Sequence, residues 1–182
     1  MNDKIIVVYS SKYGTTKTYA QWIAEELDCE CVSIEHSSRR QLQNYGIVIY
    51  GGGLYASGIS GIKKNRNVHL KKILLFTVGL ADPKTTDYTK IINKNSEYIK
   101  AESVEIFHLR GGIDYGKLNM LHKVMMSMVK RVHFDKKSNE ELIDEDKEFL
   151  RTYNGKADYT DKGQIEPIIK YVKNELMGNG NC

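Results

Sequence analysis

Short runs of apolar, β-prone residues alternate with amphipathic stretches along this chain. Four runs precede glycine-containing loops: Lys4–Tyr9, Ile47–Tyr50, Ile73–Val78 and Val104–Leu109. A weaker run, Cys29–Glu35, gives the second of five predicted strands. Apolar residues at helical spacing predict helices at Thr16–Leu27, near Ser60–Asn65, and at Tyr88–Ala101, Leu118–Val132 and Gln164–Leu176. Nearly continuous apolar strands that alternate with helices indicate an α/β protein with a parallel sheet covered on both faces.

The composition is that of one globular domain spanning residues 1–182. Hydrophobic residues make up 41% and charged residues 27% of the chain. The net charge of +4 is spread along the chain without a dense basic stripe, so we expect no nucleic-acid partner. Cys29, Cys31 and Cys182 imply no disulfide framework, and no apolar run approaches the ~20 residues that span a bilayer. These features favour a cytoplasmic protein.

The segment after the first strand, Ser10-Ser11-Lys12-Tyr13-Gly14-Thr15-Thr16, leads directly into a helix. A helix start presents backbone N–H groups without intrahelical partners at the positive end of the helix dipole. The glycine lets the backbone approach a ligand closely. We therefore expect a phosphate site whose hydroxyl donors are Ser10, Ser11, Thr15 and Thr16. The spacing fits neither a Walker A loop nor a dinucleotide-binding loop, and a capped turn without a ligand is the alternative.

Two more loops should lie at the same sheet edge, because the carboxyl ends of parallel strands meet there. The third strand is followed by Gly51-Gly52-Gly53-Leu54-Tyr55-Ala56-Ser57-Gly58, where the glycines would clear space for a flat ring. Leu54 and Tyr55 would give that ring apolar and aromatic cover. The fourth strand leads into Thr77-Val78-Gly79-Leu80-Ala81-Asp82-Pro83. For the glycine-rich loop, a flexible connection without a ligand is the alternative.

The phosphate turn resembles that of flavodoxins, usually written Ser/Thr-x-Thr-Gly-x-Thr. On this resemblance Ser11, Lys12, Tyr13, Gly14, Thr15 and Thr16 occupy the loop, with Tyr13 where the family has threonine. The order of elements from Met1 to about Gly112, plus the last helix, is also similar. The resemblance implies a flavodoxin-like, doubly wound, five-stranded parallel sheet of order 2-1-3-4-5, with FMN as cofactor. It implies that two loops line the two sides of the isoalloxazine ring, through Gly52, Gly53, Leu54 and Tyr55 and through Val78, Gly79 and Leu80.

Residues 115–163 form an extra helical segment after the fifth strand, too long for a single crossover connection. Within it, basic residues lie opposite an apolar stripe at helical spacing: Leu118, Leu121, Val124, Met125, Met128, Val129 and Val132. One interpretation is a surface helix packed on the sheet. The other is a basic, methionine-rich helix, residues 117–132, that contacts a membrane surface or an adaptable apolar partner.

This long segment and the Val78-Gly79-Leu80 turn are similar to the menaquinone-dependent protoporphyrinogen dehydrogenase branch of the flavodoxin superfamily. That resemblance implies oxidation of a porphyrinogen with electrons passed to a quinone. The main expectation is broader: electron transfer or oxidoreduction through bound FMN, with a redox partner protein, a small-molecule substrate or a quinone. Ordinary flavodoxin shuttles are strongly acidic, whereas this chain is net positive. A non-redox module that holds another phosphate ligand is a further alternative.

Few other side chains suggest a chemical role, and the sequence identifies no catalytic residue. Arg110, Tyr115 and Tyr55 are candidates for contact with a polar or anionic substrate at the pocket rim. His108 is the one histidine expected near the flavin, because it lies at the end of the fifth strand. The five histidines have no metal-ligand spacing, so we expect no metal site.

Overall fold

The computed structural model describes residues 4–65, 68–135, 137–138 and 140–178, so that Cys182 lies outside the described residues. Its strands are β1 Ile5–Ser10, β2 Glu30–Ser33, β3 Ile47–Tyr55, β4 Gly58–Ile59, β5 His69–Gly79, β6 Lys100–Arg110, β7 Gly112–Asp114 and β8 Lys156–Asp158. Five of them form a parallel sheet in the order β2-β1-β3-β5-β6. This confirms the predicted order of the five parallel strands. The additional strand β4 does not change that order, because it pairs only with the end of β3, in the antiparallel direction.

The central strands are buried on both faces, as their apolar runs predict. Ile6, Val7 and Val8 of β1 are fully buried. Strands β5 and β6 begin earlier than predicted, since their parallel pairing extends back to His69 opposite Lys100. Polar residues are tolerated in these first residues of β5 and β6 because this end of the two strands faces solvent.

Helices cover both faces of the sheet. They are α1 Thr15–Leu27, α2 Arg39–Leu42, α3 Tyr88–Asn95, α4 Met120–Val129, α5 Asp144–Thr152 and α6 Glu166–Gly178. Short 3-10 turns occupy Ile62–Asn65, Ser96–Tyr98 and Lys162–Ile165, and a π-helical turn, Lys130–Phe134, continues α4. Helices α1 and α6 pack on one face through residues such as Ile23 and Ile168. Helices α2 and α3 pack on the other through Leu42 and Ile91.

Residues 115–163, the predicted elaboration, directly follow the short strand β7. Strand β7 pairs antiparallel with β8, and α4 and α5 lie between them in the chain. Helix α4 has no buried residue, which argues against the first of the two interpretations, a surface helix packed on the sheet. The physical reason is that α1, α2, α3 and α6 already occupy the sheet faces.

Candidate functional site

A cavity of about 630 Å³ opens at the carboxyl ends of β1, β3, β5 and β6. Its volume lies in the range of small-molecule and cofactor pockets. Seven of the residues predicted from sequence to bind the cofactor line it: Tyr13, Thr15, Leu54, Tyr55, Val78, Gly79 and Leu80. The three predicted loops therefore meet at one place, as the topology of a parallel sheet requires.

The other predicted residues are not part of the cavity lining. These are Ser10, Ser11, Lys12, Gly14, Thr16, Gly52 and Gly53. The Ser10 hydroxyl is 3.1 Å from the Ser60 hydroxyl, which joins the end of β1 to the segment after β4. Thr16 is buried in the first turn of α1. Ser11, Lys12 and Gly14 form the open turn itself.

The turn between β1 and α1 leaves a helix start without a side-chain cap. Gly14 is the N-cap residue, and it has no side chain that could accept a hydrogen bond from the first turn of α1. The Ser11 hydroxyl instead accepts from the Gly14 N–H at 3.2 Å, which closes the turn on itself. Gly14 has φ +103°, a conformation that favours glycine, and apart from its two chain neighbours no described residue lies within 4 Å of where its Cβ would be. The space beside Gly14 is therefore open, and the dipole of α1 favours an anion near this end of the helix.

The glycine-rich segment is part of β3 rather than a loop. Gly51 and Gly52 pair with β1 and β5, and other side chains fill the space that their missing side chains leave. A Cβ on Gly51 would lie 2.0 Å from Phe76 Cζ, and one on Gly52 would lie 2.5 Å from Ile59 Cγ2. These two glycines thus serve packing within the protein, which differs from the expectation that they clear space for a ring.

The β3–β4 hairpin supplies one wall of the cavity through Leu54, Tyr55 and Ala56. Ala56 and Ser57 at its tip have φ of 46° and 64°, the conformation of a tight two-residue hairpin turn. Buried Asn95 holds this tip: its Oδ1 accepts from Ile59 N–H at 3.0 Å, and its Nδ2 donates to the Ser57 carbonyl at 2.8 Å. The sequence pattern gave no indication of this role, because Asn95 sits 36 residues away at the end of a helix.

The opposite wall follows β5, where Val78, Gly79 and Leu80 line the cavity. His108 packs beneath it, since a Cβ on Gly79 would lie 3.0 Å from His108 Cε1. The histidine is buried, and its Nδ1 is 2.7 Å from the Thr77 hydroxyl. Burial lowers the pKa of His108 to about 4, so the ring is neutral and serves the packing of the wall.

Helix α4 forms a roof over the cavity, with His122, Met125, Met126 and Val129 facing inward. His122 joins the roof to the walls. Its Nδ1 lies 2.8 Å from the Tyr13 hydroxyl, and its ring packs on Tyr55 with centroids 4.6 Å apart. Burial and the nearby Lys12 lower the pKa of His122, which favours a neutral ring.

The Tyr13 hydroxyl also accepts a long hydrogen bond from the Asn119 N–H at 3.4 Å, at the N-cap of α4. The hydroxyl oxygen of Tyr13 therefore makes two contacts with the roof and links the phosphate turn to it. The sequence pattern did not single out His122 as a residue of the site. Its spacing of four residues from Met126 is the signal that would have placed it on the cavity side.

Two of the three predicted rim residues have other partners. The Arg110 guanidinium forms a 3.0 Å ion pair with Glu148 of α5, donates to the Leu80 carbonyl and stacks on Tyr159 at 3.9 Å. Tyr115 is buried against Tyr153, and burial raises its pKa to about 12. Neither lines the cavity, whereas Tyr55 does. The charged side chains of its lining are Lys117, Lys156, Asp114 and Asp158.

Within the described ranges, no group of three or more histidine, cysteine or acidic side chains could hold a metal ion. No helix in the same part of the chain is long and apolar enough to cross a membrane. Cys29 and Cys31 are free thiols, and burial raises the pKa of Cys29 to about 11. These thiols are therefore poorly reactive.

A family model described as a flavodoxin domain matches residues 6–140. Because this match covers most of the chain, the protein belongs to the flavodoxin domain family.

Solved structures of similar fold include two flavodoxins from Bacillus cereus. Flavodoxin 2 aligns over 59% of this chain and 85% of its own at 19% identity, with a TM-score of 0.43. Flavodoxin 1 aligns over 59% and 84% at 17% identity, with a TM-score of 0.45. A WrbA-like flavodoxin from Agrobacterium tumefaciens aligns over 57% and 76% at 18% identity, with a TM-score of 0.39. No curated protein matches the chain.

Proposed function

We propose that this protein binds FMN and carries out electron transfer or oxidoreduction through it. The observation that carries the proposal is the position of the uncapped start of α1, with its open space above Gly14, directly beside a largely apolar cavity. Tyr13 and Thr15 belong to both the turn and the cavity lining. A ligand with a phosphate at one end and a flat apolar ring at the other suits this arrangement.

The residues present fit the two parts of FMN. The backbone N–H groups at the start of α1 and the hydroxyls of Ser11 and Thr15 would hold the phosphate. Leu54 and Tyr55 on one wall and Val78 and Leu80 on the other would enclose the ring. When bound, FMN would supply one- and two-electron redox chemistry, while the protein contributes binding, orientation and exclusion of water.

A Thr15→Glu variant tests the phosphate site. A carboxylate in the first turn is favourable for the helix itself, so the variant should fold. It would repel the phosphate by about 4 kcal/mol if the charges lie about 4 Å apart at an effective dielectric constant of about 20. We expect at least about a 100-fold weaker FMN affinity in a fluorescence titration. Riboflavin, which lacks the phosphate, should bind equally to both proteins.

Gln21→Glu is the matched control, because it adds the same charge on the exposed side of the same helix. It should leave FMN affinity unchanged. A purified protein that is colourless and ignores added FMN would contradict the proposal. Binding of inorganic phosphate by such a protein would instead favour a non-redox module for another phosphate ligand.

The roof formed by α4 favours a second candidate, an enzyme of the menaquinone-linked protoporphyrinogen dehydrogenase type. Met125, Met126 and Val129 cover the cavity, so that a ring bound in it would be shielded from a partner protein on the side of α4. Apolar, adaptable side chains at this position suit an apolar small-molecule substrate or quinone. Anaerobic titration of the flavoprotein with a porphyrinogen and then a quinone tests this candidate. Flavin reduction only by a partner protein would contradict it.

The proposed setting is a reducing compartment such as the cytoplasm. The free thiols of Cys29 and Cys31 support this proposal.

A further inference from the structure

Helix α4 is apolar on the side that lines the cavity and also on a second, outer side that no other described part of the chain covers. Its inner side, with Met125 and Met126, lines the cavity. Its outer side carries Met120 and Leu121, whose exposed fractions are 76% and 65%. Val124 and Val132 on the same side are more than half exposed. A helix that is apolar nearly all round is normally buried, so the outer side requires a covering surface.

The charge of this segment indicates what that surface is. Residues 115–134 contain four Lys or Arg residues, of which Lys117 and Lys130 pair with Asp114 and Asp135 at the two ends of the segment. Lys123 lies one helical turn after Met120, and Arg131 lies two turns after Val124, so both border the exposed apolar side. Long cationic side chains next to an apolar strip can bury their stems in a lipid interface and keep their charges at the headgroups.

We propose that the outer side of α4, formed by Met120, Leu121, Val124 and Val132, docks on an anionic lipid surface. The helix and its π-helical continuation would lie in the plane of the interface, with the apolar strip in the acyl boundary and the cations at the headgroups. The two cations that border the exposed apolar strip favour an anionic lipid surface over a neutral protein groove.

Vesicle co-sedimentation of the full chain tests this inference. The vesicles contain either phosphatidylcholine alone or phosphatidylcholine with about a third phosphatidylserine. We expect sedimentation with the anionic vesicles, at least tenfold weaker binding to the neutral ones, and weakening by added salt. The Leu121→Glu/Val124→Glu variant should lose binding. It changes exposed positions only, so flavin content and circular dichroism should match the unmodified protein.

A charge-matched comparison separates specific docking from general attraction. Lys123→Glu/Arg131→Glu should weaken binding at least tenfold, whereas Lys90→Glu/Lys94→Glu on α3 should leave it nearly unchanged. The proposal would be overturned if both double variants lost vesicle binding equally, or if the unmodified protein did not bind anionic vesicles. A dimer in solution that Leu121→Glu/Val124→Glu dissociates would also overturn it, since a second copy would then cover the strip. The inference does not depend on FMN, because sedimentation is measured with or without flavin.

Discussion

Gly51 offers a sharp test of the packing within the sheet. An alanine Cβ at this position would lie 2.0 Å from Phe76 Cζ and 2.4 and 2.6 Å from the two ε carbons of the same ring. Carbon atoms in contact normally keep about 3.5–4.0 Å apart. The ring would have to move by about 1.5 Å, and Phe76 is fully buried in a close-packed core.

Overpacking of this kind costs about 1–3 kcal/mol. Replacing glycine by alanine within a strand recovers about 0.5–1 kcal/mol of backbone entropy. We therefore expect Gly51→Ala to lower the free energy of unfolding of the apoprotein by about 1–2 kcal/mol. Urea denaturation followed by circular dichroism measures this difference, provided that the slope of the transition is unchanged.

Two companion variants decide whether the ring is the cause. Gly53→Ala makes the same change two residues along β3, where the nearest obstacle is the half-buried Tyr55 ring at 3.0 Å, which can shift toward solvent. Its effect should stay within about 0.5 kcal/mol. In a Phe76→Leu background the cost of Gly51→Ala should largely vanish. Equal effects of Gly51→Ala and Gly53→Ala, or an unchanged cost without the Phe76 ring, would refute the reasoning.

Two further outcomes are expected from the cavity walls. Tyr13→Phe removes the hydroxyl that contacts His122 and Asn119, so the docking of α4 should weaken by about 1 kcal/mol. Amide hydrogen exchange in residues 117–134 should therefore accelerate. Tyr45→Phe, which removes another exposed tyrosine hydroxyl bond, is the control, and unchanged exchange in Tyr13→Phe would contradict the expectation. The lowered pKa of His108 means that unfolding takes up a proton between about pH 6.5 and 4, so stability should fall as the pH drops through this window, by up to about 3 kcal/mol. Urea midpoints measured across this pH window should show the loss of stability. If a His108→Gln variant loses the same stability over the window, His108 is excluded as the cause.

The sheet order and the meeting of three loops could be predicted because they depend on local patterns. Apolar runs such as Ile73–Val78 mark strands wherever they pack, and parallel topology then brings their carboxyl ends together. The hydroxyl-rich turn around Gly14 likewise follows from adjacent residues. Element ends were less predictable, since the start of β6 at Lys100 depends on pairing with β5.

The rest depends on contacts between residues far apart in the chain. Gly51 lies within a strand, and the ring of Phe76, 25 positions later in the chain, fills the space that a side chain at Gly51 would occupy. Arg110 has no free role at the rim because Glu148 and Tyr159 hold it. The apolar stripe of α4 predicted burial, but spacing alone cannot tell a core-facing side from one that faces a cavity or a membrane.

The pairing of β7 with β8 bears on how this protein could have arisen. Gly112 lies opposite Asp158 and Asp114 opposite Lys156, so the chain leaves and re-enters the domain at neighbouring points. A tight turn of a few residues could join two such strand ends. The α4–α5 segment is in this sense a cassette: it can be gained, lost or exchanged as one piece while the sheet and the phosphate turn keep their geometry.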